Sequence, residues 1–149
     1  MKHMLSFGDT ARLFSLGRGM EMALEFATVS VFADVNQPKG LYVPFSELDI
    51  NRAIAHGAIA ALWKKDAPVP RYIPNDFPLF MAEDVSFAFT QLVQFYLKKM
   101  ESKDLDMKTT FIFYGSELRD KNPHTYDLAD AENRKRLLCA CRRHGREKA

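Results

Sequence analysis

Apolar residues change their period several times along this chain, and each change marks an element. Phe26 to Ala33 carries no charge and is rich in β-branched and aromatic residues, the composition of a strand. A turn over Asn36 to Gly40 separates it from a second apolar strand, Leu41 to Phe45. Ile50, Ala53 and Ile54 then recur at helical spacing, with Ser46 and Asp49 as a variant capping box before them and Gly57 as the stop after His56. Ala58 to Trp63 is apolar throughout, as expected of a strand covered on both faces. Four prolines between Pro68 and Pro78 mark an extended loop, and Leu79 to Ala82 reads as another strand. Asp84 caps the longest helix, reaching about Lys99, on which Val85, Ala88, Phe89, Leu92, Val93, Phe95 and Tyr96 form a broad apolar face.

The ends of the chain follow the same logic. Asp9 is placed to cap a short helix through Ser15, with Ala11, Leu13, Phe14 and Leu16 apolar and Gly17-Arg18-Gly19 ending it. Thr109 to Tyr114 is a last strand and Leu128 to about Arg143 a last helix. The order β-β-α-β-β-α-β-α predicts an α/β fold, a mainly parallel sheet flanked by helices. The strands at 26–33, 41–45, 58–63 and 79–82 are expected in one sheet, with the 84–99 helix packed on it through Phe89, Leu92 and Tyr96.

The run Gln37-Pro38-Lys39-Gly40-Leu41-Tyr42-Val43-Pro44-Phe45, followed by Ala53-Ile54-Ala55-His56-Gly57-Ala58-Ile59-Ala60-Ala61-Leu62-Trp63, resembles the N-terminal substrate-binding domain of the Mur ligases. Those enzymes add amino acids to UDP-N-acetylmuramoyl precursors of peptidoglycan. Their Asp-Ser-Arg element, Pro-Gly turn and Leu-Phe-Val-Pro strand align with Phe32-Ala33-Asp34, Pro38 to Gly40 and Leu41 to Pro44, and the resemblance runs from about Phe26 to Lys99. It implies one Mur ligase N-terminal-like domain over 1–149, with 100–149 a divergent strand and basic helix. It also implies a UDP-sugar-like ligand near Asp34, Lys39, Pro44, Ser46 and Asp49. The family's serine is replaced by Ala33, and the loop between its strand and helix shrinks to Ser46-Glu47-Leu48. Scaffold positions persist where chemical ones do not.

The family's phosphate loop is a stricter criterion. Gly115-Ser116-Glu117-Leu118-Arg119-Asp120-Lys121, after the strand at 109–114, lacks the second glycine and the adjoining Lys-Ser/Thr, and its two carboxylates oppose a phosphate. ATP-dependent ligation is therefore not expected, and no cofactor is assigned. The expected function is that of a non-catalytic, stand-alone relative of the Mur ligase substrate domain, a protein-interaction or self-associating module linked to cell-wall synthesis. The alternative is a small-molecule module that holds a nucleotide sugar or peptidoglycan precursor.

With 149 residues, 47% hydrophobic and 27% charged, the chain has room for one core, supplied by its 12 Phe among other apolar residues, and not for a second catalytic domain. Its longest charge-free stretch, Val85 to Leu97, is interrupted by Ser86, Thr90, Gln91 and Gln94 and is shorter than the roughly 20 apolar residues that span a bilayer. The N-terminal apolar run is cut by Ser6, Gly8 and Asp9, so a cytoplasmic protein without membrane association is expected. Charge is unevenly spread: of 21 basic and 19 acidic residues, seven basic ones and Glu147 alone among the acids fall in Arg134 to Ala149. That leaves 14 basic and 18 acidic residues before Arg134, an acidic body with a basic tail. The tail's stripe of Leu137, Leu138 and Cys141 favours docking on the acidic body, its own or that of a homo-oligomer or protein partner, over nucleic acid.

The remaining constellations favour structural roles. Cys139 and Cys141 point about 200° apart on a helix, so only Cys141 and His144 share a face, and no metal site is assigned. Their separation suits no disulfide, and both are expected as reduced thiols. His124, Tyr126 and Asp127 lie in a proline-containing loop where a solvated histidine is the simpler account than a general base. His56 suits a helix C-terminus, Glu83-Asp84 a helix start, and Trp63 and Tyr72 the anchoring of the proline loop. No catalytic residue is assigned.

Overall fold

The computed structural model describes residues 5–18, 24–44, 50–69, 71, 73, 77–100, 109–114, 123–127 and 131–148. Its centre is a parallel run of five strands, β4 (Thr28–Ser30), β5 (Gly40–Tyr42), β6 (Ala58–Lys64), β7 (Leu79–Ala82) and β8 (Thr110–Phe113). Antiparallel edge strands β2 (Ser15–Arg18) and β9 (His124–Tyr126) complete a sheet of order β2-β7-β6-β5-β4-β8-β9. Helices α1 (Phe7–Leu13), α2 (Ile50–Ala55), α3 (Val85–Met100) and α4 (Ala131–Lys148) accompany it, as does a small antiparallel pair of β1 (Leu5–Ser6) with β3 (Glu25–Phe26). The architecture is thus α/β, with a seven-stranded, mostly parallel sheet flanked by helices.

Alternation along the strands divides the core in two. Leu41, Val43, Ala60, Leu62 and Phe80 join one apolar cluster with Phe7, Phe89, Leu92, Tyr96 and Leu137, so α1, α3 and α4 all cover that face. Tyr42, Ala61, Trp63 and Leu79 join the other, with Ile50 and Ala53 of α2 and Ile73 and Phe77 of the proline loop. A register shift between the pairs Gly40↔Ala58 and Leu41↔Ala60 places Ile59 and Ala60 together on the first face. The expected sheet of four strands and the expected contact residues Phe89, Leu92 and Tyr96 are all present, each of the three fully buried. Asp84 caps α3 by accepting from the backbone N–H of Ser86 at 2.9 Å and of Phe87 at 3.3 Å.

Four expectations need correction. The first helix is capped by Ser6, three residues before the expected cap: Ser6 Oγ accepts from the Asp9 N–H at 3.0 Å while Asp9 Oδ2 accepts from the Ser6 N–H at 3.1 Å. Asp9 is the third residue of a reciprocal capping box, the arrangement the sequence also offers at Ser46 and Asp49, which lie outside the described residues. Ser15 to Arg18 is a strand on the β7 edge because Gly17, without a side chain, leaves room for that of Met81. The span 26–33 is divided, with Phe26 in β3 and only Thr28–Ser30 in the main sheet. The fourth concerns His124, Thr125 and Tyr126: they form β9, held by pairing with β8 and by the Tyr126 hydroxyl donating to the Tyr114 carbonyl at 2.8 Å. No helix among the described residues is long and apolar enough to cross a membrane.

Candidate functional site

β5, β6 and β7 are laid down successively on one side of β4, and the chain then crosses through α3 to place β8 on its other side. The carboxyl ends of β4 and β8 therefore form the topological switch point, the crevice where open α/β sheets bind ligands. Phe32 and Tyr114 stand there, each half-buried, with ring centroids 5.2 Å apart and planes at 82°.

Both positions are clamped through their backbones. The Phe32 N–H donates to Ser30 Oγ at 3.0 Å, and its carbonyl accepts from Ser30 Oγ at 2.9 Å and from Gln37 Nε2 at 2.8 Å. The Tyr114 carbonyl is held by Tyr126. Gln37 is fully buried at the heart of the 31–39 crossover, where its Nε2 also donates to the Val35 carbonyl at 3.3 Å and its N–H to the His56 carbonyl at 2.9 Å. With Nε2 fixed by two carbonyls the carboxamide cannot be flipped. Among the described residues its buried Oε1 has no partner, an arrangement that costs about 1–3 kcal/mol wherever a buried acceptor is left unsatisfied.

The crossover connects parallel neighbours without a helix, and glycines make that possible. Gly57 adopts φ 116°, and a Cβ on it would meet the Gln37 carbonyl oxygen at 2.7 Å; one on Gly40 would meet the same atom at 2.6 Å. Gly40 donates to the Gly57 carbonyl at 3.1 Å, Thr28 Oγ1 to the Pro38 carbonyl at 3.1 Å, and the Val43 N–H to the Ser30 carbonyl at 2.7 Å. The Pro-Lys-Gly turn and the Gly-Ala step, far apart in sequence, are one packed unit.

The expected ligand residues divide between the two ends of the sheet. Asp34, exposed, and Pro44, buried, lie beyond the carboxyl ends of β4 and β5. Lys39, exposed at φ 47°, immediately precedes β5 and so lies at the amino end, about 16 Å of extended chain from Pro44. Ser46 and Asp49 lie outside the described residues, as does Gly115 to Lys121. Among the described residues, Lys64 and Lys65 stand exposed at the carboxyl end of β6. Sequence reasoning missed Phe32, Tyr114, Gln37 and these lysines. The two aromatics sit in apolar runs that read as core, and a glutamine beside a proline reads as turn.

The chemistry of the other constellations is now concrete. Cys139 and Cys141 are free thiols, and burial pushes the Cys141 thiol up to about 12, the Thr90 hydroxyl on α3 opposing weakly. A thiol so protonated is neither nucleophile nor ready metal ligand at neutral pH. The described residues hold no group of three His, Cys, Asp or Glu suited to a metal. His56 Nδ1 lies 2.8 Å from the Arg52 carbonyl at the end of α2, the structural role expected of it. The Trp63 indole N–H donates to the Ala67 carbonyl at 3.3 Å, anchoring the start of the proline loop. No family model matches the chain, and no curated protein does.

Proposed function

We propose that this chain is a non-catalytic relative of the Mur ligase substrate domain that holds a nucleotide sugar or peptidoglycan precursor at the carboxyl edge of its sheet. The observation that carries this reading is the clamped switch point between β4 and β8, with Asp34 and Pro44 on the same edge. The glycine-dependent packing of Gln37 against Gly40 and Gly57 supports the relationship, since it gives the Pro-Lys-Gly and Gly-Ala segments one joint purpose. Calorimetry with UDP, UDP-N-acetylmuramic acid and ATP tests the proposal. Saturable binding of the sugar nucleotide with none of magnesium-ATP is expected; binding of neither uridine compound overturns it.

A protein-interaction or self-associating module is the second reading. Of the expected stripe on α4, Leu137 and Cys141 are buried in the core beside Ala140 and Leu138 is half-buried against it, so α4 is a poor basis for this reading. Phe87 on α3 is a better one: it is 63% exposed, the large apolar side chain most open to solvent among the described residues. Mass in solution that falls on Phe87→Ser substitution is the result this reading requires.

A further inference from the structure

We infer that Phe32 and Tyr114 form a ring-binding subsite, a rigid aromatic corner that takes a planar aromatic or heteroaromatic group of a ligand. Their edge-to-face contact continues an aromatic series that begins in the core. Phe89 of α3 stacks on Phe113 with centroids 4.5 Å apart, Phe113 meets Tyr114 at 5.1 Å, and Tyr114 meets Phe32 at 5.2 Å. Phe89 and Phe113 are buried, whereas Tyr114 and Phe32 are half-buried against the same core. A perpendicular pair presents one ring face beside one ring edge, the two surfaces with which a third ring makes its favoured offset or T-shaped contacts.

Little ordering remains to be done when a ligand arrives. Ser30 and Gln37 fix the Phe32 backbone, Tyr126 fixes that of Tyr114, and the core aromatics hold the rings from below, so the corner is preorganised. Its position at the carboxyl ends of strands on opposite sides of the crossover is where such a fold opens a crevice. The inference rests on the ligand-binding reading proposed above and names the part of the ligand that the switch point would recognise.

Chemical-shift mapping on the intact protein tests it, with uridine and indole as aromatic-ring probes, N-acetylglucosamine as a non-aromatic polar control and UDP-N-acetylmuramic acid as the larger ligand. The ring probes are expected to shift the amide signals of Phe32, Ala33 and Tyr114, and N-acetylglucosamine to leave them in place. Phe32→Leu, which keeps apolar volume and removes the ring, should weaken ring binding about five-fold or more. Should that variant fold poorly, the shift map of the unaltered protein decides alone. Ring probes that shift a different surface, or that bind Phe32→Leu as well as the original, overturn the subsite. Binding of UDP-N-acetylmuramic acid that ignores Phe32 removes the subsite and leaves the functional proposal standing. Ring binding at Phe32 without any sugar-nucleotide binding does the reverse, and no binding by any probe removes both.

Discussion

Conformation at single residues decides whether the 31–39 crossover exists. Gly57 at φ 116° occupies a region that residues with a Cβ avoid, and the missing Cβ leaves space for the Gln37 carbonyl. Gly57→Ala is expected to destabilise the protein by at least about 2 kcal/mol, combining backbone strain with a contact to main chain that cannot step aside. A urea titration showing an unchanged midpoint would refute this. Lys39 offers the contrast, because at φ 47° it already bears the left-handed conformation with a side chain. Lys39→Gly relieves that strain but frees the unfolded chain, so its unfolding free energy should change by less than about 1 kcal/mol. What was legible at this scale was residue type without residue role: the Pro-Lys-Gly turn and Gly57 could be placed on elements, yet nothing in the sequence says that both enclose the Gln37 carbonyl. That contact is a tertiary one between segments about twenty residues apart, and the same holds for the meeting of Phe32 with Tyr114.

At the scale of elements, periodicity identified whatever was long. α3, β6 and the strands around them follow from apolar spacing, while β1, β3 and β9 are too short to have a period and exist only through the partners that pair with them. Caps were legible as chemistry but ambiguous in position, Ser6 and Asp9 being one box with two plausible first residues. Asp84 is the simpler case, and Asp84→Ala should cost about 1 kcal/mol through the lost bonds to Ser86 and Phe87, with Asp84→Asn nearly neutral. Thermal denaturation of the two variants separates cap from charge. Two buried acids, Cys141 on α4 and Tyr96 on α3, carry a pH dependence as well. Cys141 is raised to about 12 from 9.0 by burial, and Tyr96 is raised from 10.0, chiefly by burial, with the Asp9 carboxylate adding to it. For an acid whose folded form holds its proton longer, the unfolded state ionises first, so stability is intact below about pH 9 and falls as the pH rises towards 12. Cys141→Ser should flatten part of that alkaline decline; an equally steep fall in the variant would assign it elsewhere.

For the molecule as a whole, the basic helix poses the remaining question of what its charge and its apolar stripe each do. The stripe is accounted for: Leu137 and Ala140 of α4 enter the core that Leu92, Tyr96 and Phe111 share, so α4 completes the body and is not a tail held ready for something else. Lys135, Arg136 and Arg142 remain exposed, beside a body of 14 basic and 18 acidic residues before Arg134. Those exposed cations offset the body's negative charge, but exposed pairs contribute little, of the order of 0–1 kcal/mol each, and salt screens them. Burial of the stripe must therefore dominate. Truncation before Arg134 is expected to lower the melting temperature sharply or prevent folding, and Leu137→Ala, a gentler probe, to cost about 2–5 kcal/mol. Replacing Lys135 and Arg136 by glutamine should shift stability by less than about 1 kcal/mol and mainly at low salt. Nucleic-acid binding by the intact protein should be feeble at physiological salt, because the exposed cations on α4 offer phosphate contacts with no aromatic platform among them. Undiminished stability in Leu137→Ala, with tight salt-sensitive binding to DNA or RNA in the intact chain, would show that α4 serves its charge first and its packing second.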